Sequence, residues 1–189
     1  TWLKGLEGAI RGCMVLMLLF GIILSFMIPP WQTPDEYSHV LLIGAGEGNL
    51  DLADTLRTDM NLEDERIRYQ YEEKINLEQW RDAMTKAPGY HWTECMPKGV
   101  HLSLLKHWPA AFGILLGVLF RLPTFWVLEL GELFSLIFYL TVCWFALKLM
   151  PIKKEILLMF MVFPMTMQQA SSLSYDAVLI PLCFLFVAY

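Results

Sequence analysis

The sequence is poor in cysteine and has no paired cysteine motif. Its four cysteines are Cys13, Cys95, Cys143 and Cys183. Only Cys95 lies in the polar part of the chain, so that part cannot close a disulfide within itself. No CxxC and no zinc-type spacing occurs. The other three lie in apolar runs, where cysteine behaves as a small buried hydrophobe. Charge is also scarce over long windows. Of 19 acids and 14 bases, 14 acids and 8 bases fall within residues 30–110. That stretch carries a net −6 and the whole chain −5. An acidic balance of this kind argues against nucleic acid as the main partner. A small-x-small cleavage site is missing around SFMIPPWQ, which excludes a removable signal peptide in favour of a retained helix.

What remains is strongly apolar, with 56% hydrophobic and 14% aromatic residues. This is the composition of an all-α, polytopic membrane protein with one large polar loop. Residues 12–28 carry no charge and follow Lys4 and Arg11, so residues 1–29 read as transmembrane helix 1 with a cytoplasmic start. Pro29 and Pro30 end it on the outer side. Residues 30–123 form an extracytoplasmic loop with juxtamembrane and re-entrant helices, and residues 124–189 hold transmembrane helices 2–4. The chain begins without Met, and its last apolar run, residues 177–189, covers 13 residues. That is about 20 Å of a hydrocarbon core about 30 Å thick, so the natural protein is expected to be longer.

The stretch MIPPWQTPDEYSH marks the entry to the loop. Thr33 suits an N-cap, Pro34 the first helical position, and Glu36 completes a capping box. The helix should run through Val40 to Ile43 and fail at Gly44, Gly46 and Gly48. Those glycines follow a helix rather than a strand, which excludes a dinucleotide-binding fingerprint. Residues 62–84 predict a second, solvated helix with an Asp64–Arg68 pair and an apolar side at Trp80 and Met84. Residues 86–99 read as irregular.

Residues 108–120 are uncharged but short, a length typical of a re-entrant or interfacial segment. Residues 125–147 are long enough to span, and residues 156–169 begin a third span. If residues 108–120 do not cross, Lys148, Lys153 and Lys154 lie in the cytoplasm, as the positive-inside rule favours. Asp176 then lies on the same outer face as Asp35.

Pro29-Pro30 with Pro34-Asp35-Glu36-Tyr37-Ser38-His39, and the longer block from Phe163-Pro164-Met165 through Gln168-Gln169-Ala170-Ser171-Ser172 to Ser174-Tyr175-Asp176-Ala177, resemble two signatures of a bacterial family of predicted multi-pass membrane proteins under a domain-of-unknown-function label. That family resembles the GT-C superfamily of integral-membrane glycosyltransferases. The resemblance implies a GT-C-like fold and transfer of a sugar from a polyprenyl-phosphate donor to a saccharide acceptor, a cell-surface polysaccharide or glycolipid, in contact with membrane lipid. It also implies a catalytic acid just after the first helix, at Asp35, and a second in a later outer loop, at Asp176. The family's second span often carries an Arg after a Gly, where this chain has Gly131-Glu132. Lys106, His107 and Arg121 are the nearby candidates for the missing positive charge.

Glycosyl transfer needs a base near the acceptor oxygen and stabilisation of the leaving phosphate. Asp35 in a first helical turn fits the base, with Glu36 beside it, although acids in a first turn also simply favour the helix dipole. His39, four residues on, shares the face of Asp35. Ser174 can cap the following helix, with Asp176 then at its second position. Gln169 sits in the second signature as a candidate substrate contact. A divalent cation, Mg or Mn, between Asp35 and Asp176 is compatible with carboxylate chemistry, but the histidine spacings match no metal motif. Glu129 and Glu132 share one helix face. They either line a groove or reach the interface. The competing functions are a transporter or flippase for lipid-linked saccharides, which would use these glutamates, and a non-catalytic membrane subunit.

Overall fold

The computed structural model describes residues 2–28, 33, 36–44, 56, 77–90 and 102–189. Among them the structure is helical, without strands. The helices are α1 Trp2–Met27, α2 Glu36–Gly44, α3 Leu77–Thr85, α4 Leu102–Lys106, α5 Trp108–Leu119, α6 Thr124–Leu149, α7 Lys154–Met161, α8 Pro164–Ala170 and α9 Asp176–Ala188.

The long helix α6 is the axis of the fold. Its 26 residues extend about 39 Å at 1.5 Å per residue. Within α1 and α6, Gly8–Met27 and Thr124–Leu149 are long and apolar enough to cross a membrane, whereas α5 and α9 are shorter apolar helices. Helix α1 runs antiparallel to α6. Ser25 meets Glu129 and Glu132, and Gly21 lies so close to Leu136 that a Cβ would sit 2.6 Å from its Cδ1. Helix α5 is antiparallel to the first half of α6. Trp108 packs edge-on against Phe138, Phe112 against Phe134, and Gly117 against Val127. Glycine is required at Gly113, where any Cβ would collide with the backbone carbonyl of Leu130. The expected short segment at residues 108–120 is thus a 12-residue helix folded back on half of α6.

The turn between α5 and α6 is a Schellman motif. Arg121 N–H donates to Val118 O and Leu122 N–H to Gly117 O, both at 3.0 Å. Arg121 takes the left-handed position, φ 52°, where glycine is usual.

Residues 156–169, expected to begin a third span, form two short helices, α7 and α8, broken at Val162 and Phe163. Pro164 has no N–H to offer Phe160 O and cannot continue the helix. The freed carbonyl of Met161 is taken up by Tyr139 OH at 2.9 Å. The expected helix over residues 62–84 is described only from Leu77, and it ends at Thr85. The remainder, with Asp64 and Arg68, lies outside the described residues, as does Cys95 further on. Tyr90 OH donates to Leu122 O at 2.7 Å and Trp126 Nε1 to Met84 O at 3.1 Å, which fastens the α3 region to the α5–α6 turn.

Two buried clusters result. One gathers Val40 and Ile43 of α2 with Ala110, Ile114 and Val118 of α5, Phe125 and Leu128 of α6, and Leu173. The other gathers Met17 of α1 with Leu136, Tyr139 and Cys143 of α6, Met161, Met167 and Ala188. Polar residues collect along the border between them.

Candidate functional site

The first part of this border is built by α2. Glu36 N–H donates to Thr33 O and Thr33 N–H donates to Glu36 Oε2, both at 3.3 Å. The second bond is the reciprocal arm of a capping box, as the Thr33–Glu36 spacing predicts. Glu36 is only 2% exposed, so its carboxyl serves the helix start from inside the protein. Asp35, the leading sequence candidate, lies outside the described residues, as does Pro34.

One turn further, His39 Nδ1 lies 3.1 Å from His107 Nε2. His107 is 1% exposed at the entry to α5. The Tyr175 ring stands nearly perpendicular to the His107 imidazole and steeply tilted to that of His39, with centroids 5.4 Å from His39 and 5.9 Å from His107. The next residue, Asp176, is half-buried and opens α9. Its N–H donates to Ser174 Oγ at 3.2 Å, the cap that the sequence predicts. The structure therefore brings His39, His107, Tyr175 and the start of α9 to one place, although these residues come from three distant parts of the chain.

The approach to Asp176 is an irregular stretch held by serines. Ser171 Oγ donates to Met167 O and Ser172 Oγ to Gln169 O, both at 2.9 Å, and Ser174 N–H donates to Ser172 Oγ at 3.3 Å. Side-chain hydroxyls here replace the backbone ladder that ends with α8. Gln169 is half-buried in the last turn of α8, with its carbonyl in this network. Lys106 is exposed beside His107. Arg121 lies at the opposite end of α5, about 20 Å away along a helix of 1.5 Å rise, so the three candidate cations do not converge.

The second part of the border was not predicted as a site with its partners. Ser25 Oγ lies 2.6 Å from Glu129 Oε2 and 2.6 Å from Glu132 Oε2. Glu129 is 6% and Glu132 2% exposed, so both face the protein interior rather than the interface. Glu36 lies within Coulombic range of Glu132. A hydroxyl has one proton. The two short contacts are both hydrogen bonds only when one carboxyl carries a proton of its own. The sequence signal was a serine one turn from the end of an otherwise apolar helix, facing an acid pair in another.

Among the described residues, no group of three or more His, Cys, Asp and Glu side chains is arranged to hold a metal ion. Asp35, one of the two carboxylates expected to flank a Mg or Mn ion, lies outside those residues.

Apolar helices of spanning length, a helix broken within the bundle and buried polar side chains between helices are features of helical membrane proteins. The family described as Predicted membrane protein (DUF2142) matches residues 18–189, and the chain belongs to that family. No curated protein and no solved structure matches the chain.

Proposed function

We propose that the protein is a polytopic, GT-C-type glycosyltransferase that moves a sugar from a polyprenyl-phosphate donor to a saccharide hydroxyl on the outer face of a cell membrane. Residues 30–123 form its extracytoplasmic loop. The observation that supports this reading is the contact of His39 with His107 and Tyr175. It sets the helix that begins beside Asp35 next to the helix that begins at Asp176.

In this reading α1 runs outward from Lys4 and Arg11, and α6 returns inward to Lys148. Lys148, Lys153 and Lys154 lie in the cytoplasm, in accord with the positive-inside rule. Asp35 takes the proton of the acceptor hydroxyl as its oxygen bonds to the sugar's anomeric carbon. The bond from that carbon to the phosphate oxygen breaks, and the phosphate keeps the electron pair. His39, His107 and Lys106 supply donors to the departing phosphate. Asp176 orients the acceptor from the start of α9. Glu36 holds the helix that presents Asp35.

The test is turnover of radiolabelled lipid-linked sugars by membranes containing the protein. Asp35→Asn should lower transfer by about 100-fold or more, the usual scale of a lost general base, with membrane insertion unchanged. Undiminished transfer sinks the proposal.

One observation favours a second reading, a transporter or flippase for lipid-linked saccharides. Buried carboxyls between helices commonly mark ion pathways in membrane proteins, and Glu129 and Glu132 are such a pair. That reading predicts proton-dependent flux abolished by Glu132→Gln and indifferent to Asp35→Asn.

A further inference from the structure

The two helices long enough to cross a membrane end level with one another. Ile10 near the start of α1, Trp144, Leu147 and Lys148 near the end of α6, and Lys154 at the start of α7 line one narrow cleft. The start of the α1 span, at Gly8, and the end of the α6 span, at Leu149, therefore lie at the same membrane boundary. The charge at this boundary is opposite to that of the chain. Residues 1–11 and 148–155 hold the bases Lys4, Arg11, Lys148, Lys153 and Lys154 against the acids Glu7 and Glu155, whereas the whole chain carries −5. Arg11, Lys148 and Lys153 are exposed, and Lys154 is half-buried.

Local structure does not account for Lys153. It precedes α7 in a left-handed conformation, φ 53° and ψ 39°, which favours glycine. A helix start also favours a side chain that accepts hydrogen bonds, and an ammonium only donates. The Lys153 side chain makes no capping bond. Another residue would serve folding better, so an exposed cation stands here against the preference of the backbone. Lys148 is held in another way. Its Nζ lies 4.9 Å from the centre of the Trp144 ring, which keeps the ammonium against the surface of α6. Around these cations the surface is apolar, with Leu149, Ile152 and Ile156 all exposed. A free phosphate makes no use of such side chains. A phospholipid lays acyl chains on them and offers its phosphate to the lysines.

We propose that this boundary, formed by the start of α1, the end of α6 and the turn into α7, binds the headgroup of an anionic phospholipid. Lys153 and Lys154 take its phosphate, with Arg11 beside them, and its acyl chains lie over Leu149, Ile152 and Ile156. The site shares no residue with the one proposed for sugar transfer, and it stands whether or not the chain transfers sugars.

The test titrates phosphatidylglycerol and phosphatidylcholine with identical acyl chains into the full chain in neutral detergent, and native mass spectrometry counts the lipid bound. Phosphatidylglycerol should bind about tenfold or more tightly, the scale set by a few lysines and arginines at an anionic headgroup. Lys153→Gly combined with Lys154→Gln should bring the two lipids to nearly equal binding. Lys153→Gly alone, which keeps the cleft intact, should lower the preference while raising the melting temperature of the lipid-free protein. A lysine with a purely structural role would not give that pair of effects. Arg121→Gln, beside the opposite end of α6, should leave the preference unchanged, and excess glycerol phosphate should fail to displace the lipid. Equal binding of both lipids to the native protein overturns the proposal. So does a preference that survives both lysine variants, a preference that Arg121→Gln removes equally, or displacement by glycerol phosphate, which would mark a site for free phosphates.

Discussion

His39 and His107 are joined ring to ring, Nδ1 to Nε2 at 3.1 Å, across 68 positions of sequence. One nitrogen donates and the other accepts, so a proton on both facing nitrogens would set two donors against each other. Tyr175 packs crosswise against both rings, and thus α2, the entry to α5 and the entry to α9 share one junction.

This junction should behave as a coupled unit. His39→Ala and His107→Ala should each destabilise the protein, and the double variant should lose less than the two single losses combined. A coupling of about 0.5–1.5 kcal/mol is expected for one hydrogen bond in thermal unfolding of the detergent-solubilised protein. Strict additivity would show that the contact contributes nothing.

Ser25→Ala should be more harmful than its size suggests. It removes the hydroxyl that lies 2.6 Å from both Glu129 and Glu132 and leaves two buried carboxyl oxygens without it. A loss of about 1–3 kcal/mol is expected. Combining Ser25→Ala with Glu129→Leu should recover part of it, because one of the stranded acceptors is gone. Unfolding of the three variants measures this.

Gly113→Leu should separate α5 from α6. The side chain would have to occupy the space of the Leu130 carbonyl, which is backbone and cannot rotate away. Overpacking of this kind costs about 1–3 kcal/mol or more. The readout is cross-linking between cysteines placed at Phe112 and Phe134, whose rings lie 5.2 Å apart. It should fall in the variant while helix content persists.

Arg121→Gly should stabilise the protein by about 1 kcal/mol, because a left-handed backbone costs a non-glycine residue about 1–2 kcal/mol and costs glycine little. In the glycosyltransferase reading this variant also separates roles. Transfer that survives it assigns the cation work to Lys106 and the histidines.

These residues also show what could be read in advance. The capping box at Thr33 and Glu36, the Ser174 cap before Asp176 and the short α5 follow from local punctuation, and local punctuation is written in contiguous sequence. The break in the third span was legible in Pro164, but the apolar run on both sides masked it, since hydropathy is blind to a missing N–H. The Arg121 turn was not legible, because the residue at its left-handed position is not the glycine that usually marks one. The pairings His39–His107 and Ser25–Glu129 join residues 68 and 104 positions apart, and spacing alone carries no information at that range. Lys106, His107 and Arg121 looked like neighbours in sequence, yet a single rigid helix sets Arg121 apart from the other two.

The link between Ser25 and Glu129 also has a history in time. Synthesis proceeds at about 5–20 residues per second, so the 104 positions between them correspond to roughly 5–20 s. Throughout that interval α1 exists while its carboxyl partners do not. The first helix must therefore wait with a solitary hydroxyl, a minor burden for an apolar segment. The acids arrive later, on a helix whose companion is already in place. The order of the chain spares the costly groups the wait and leaves it to the inexpensive one.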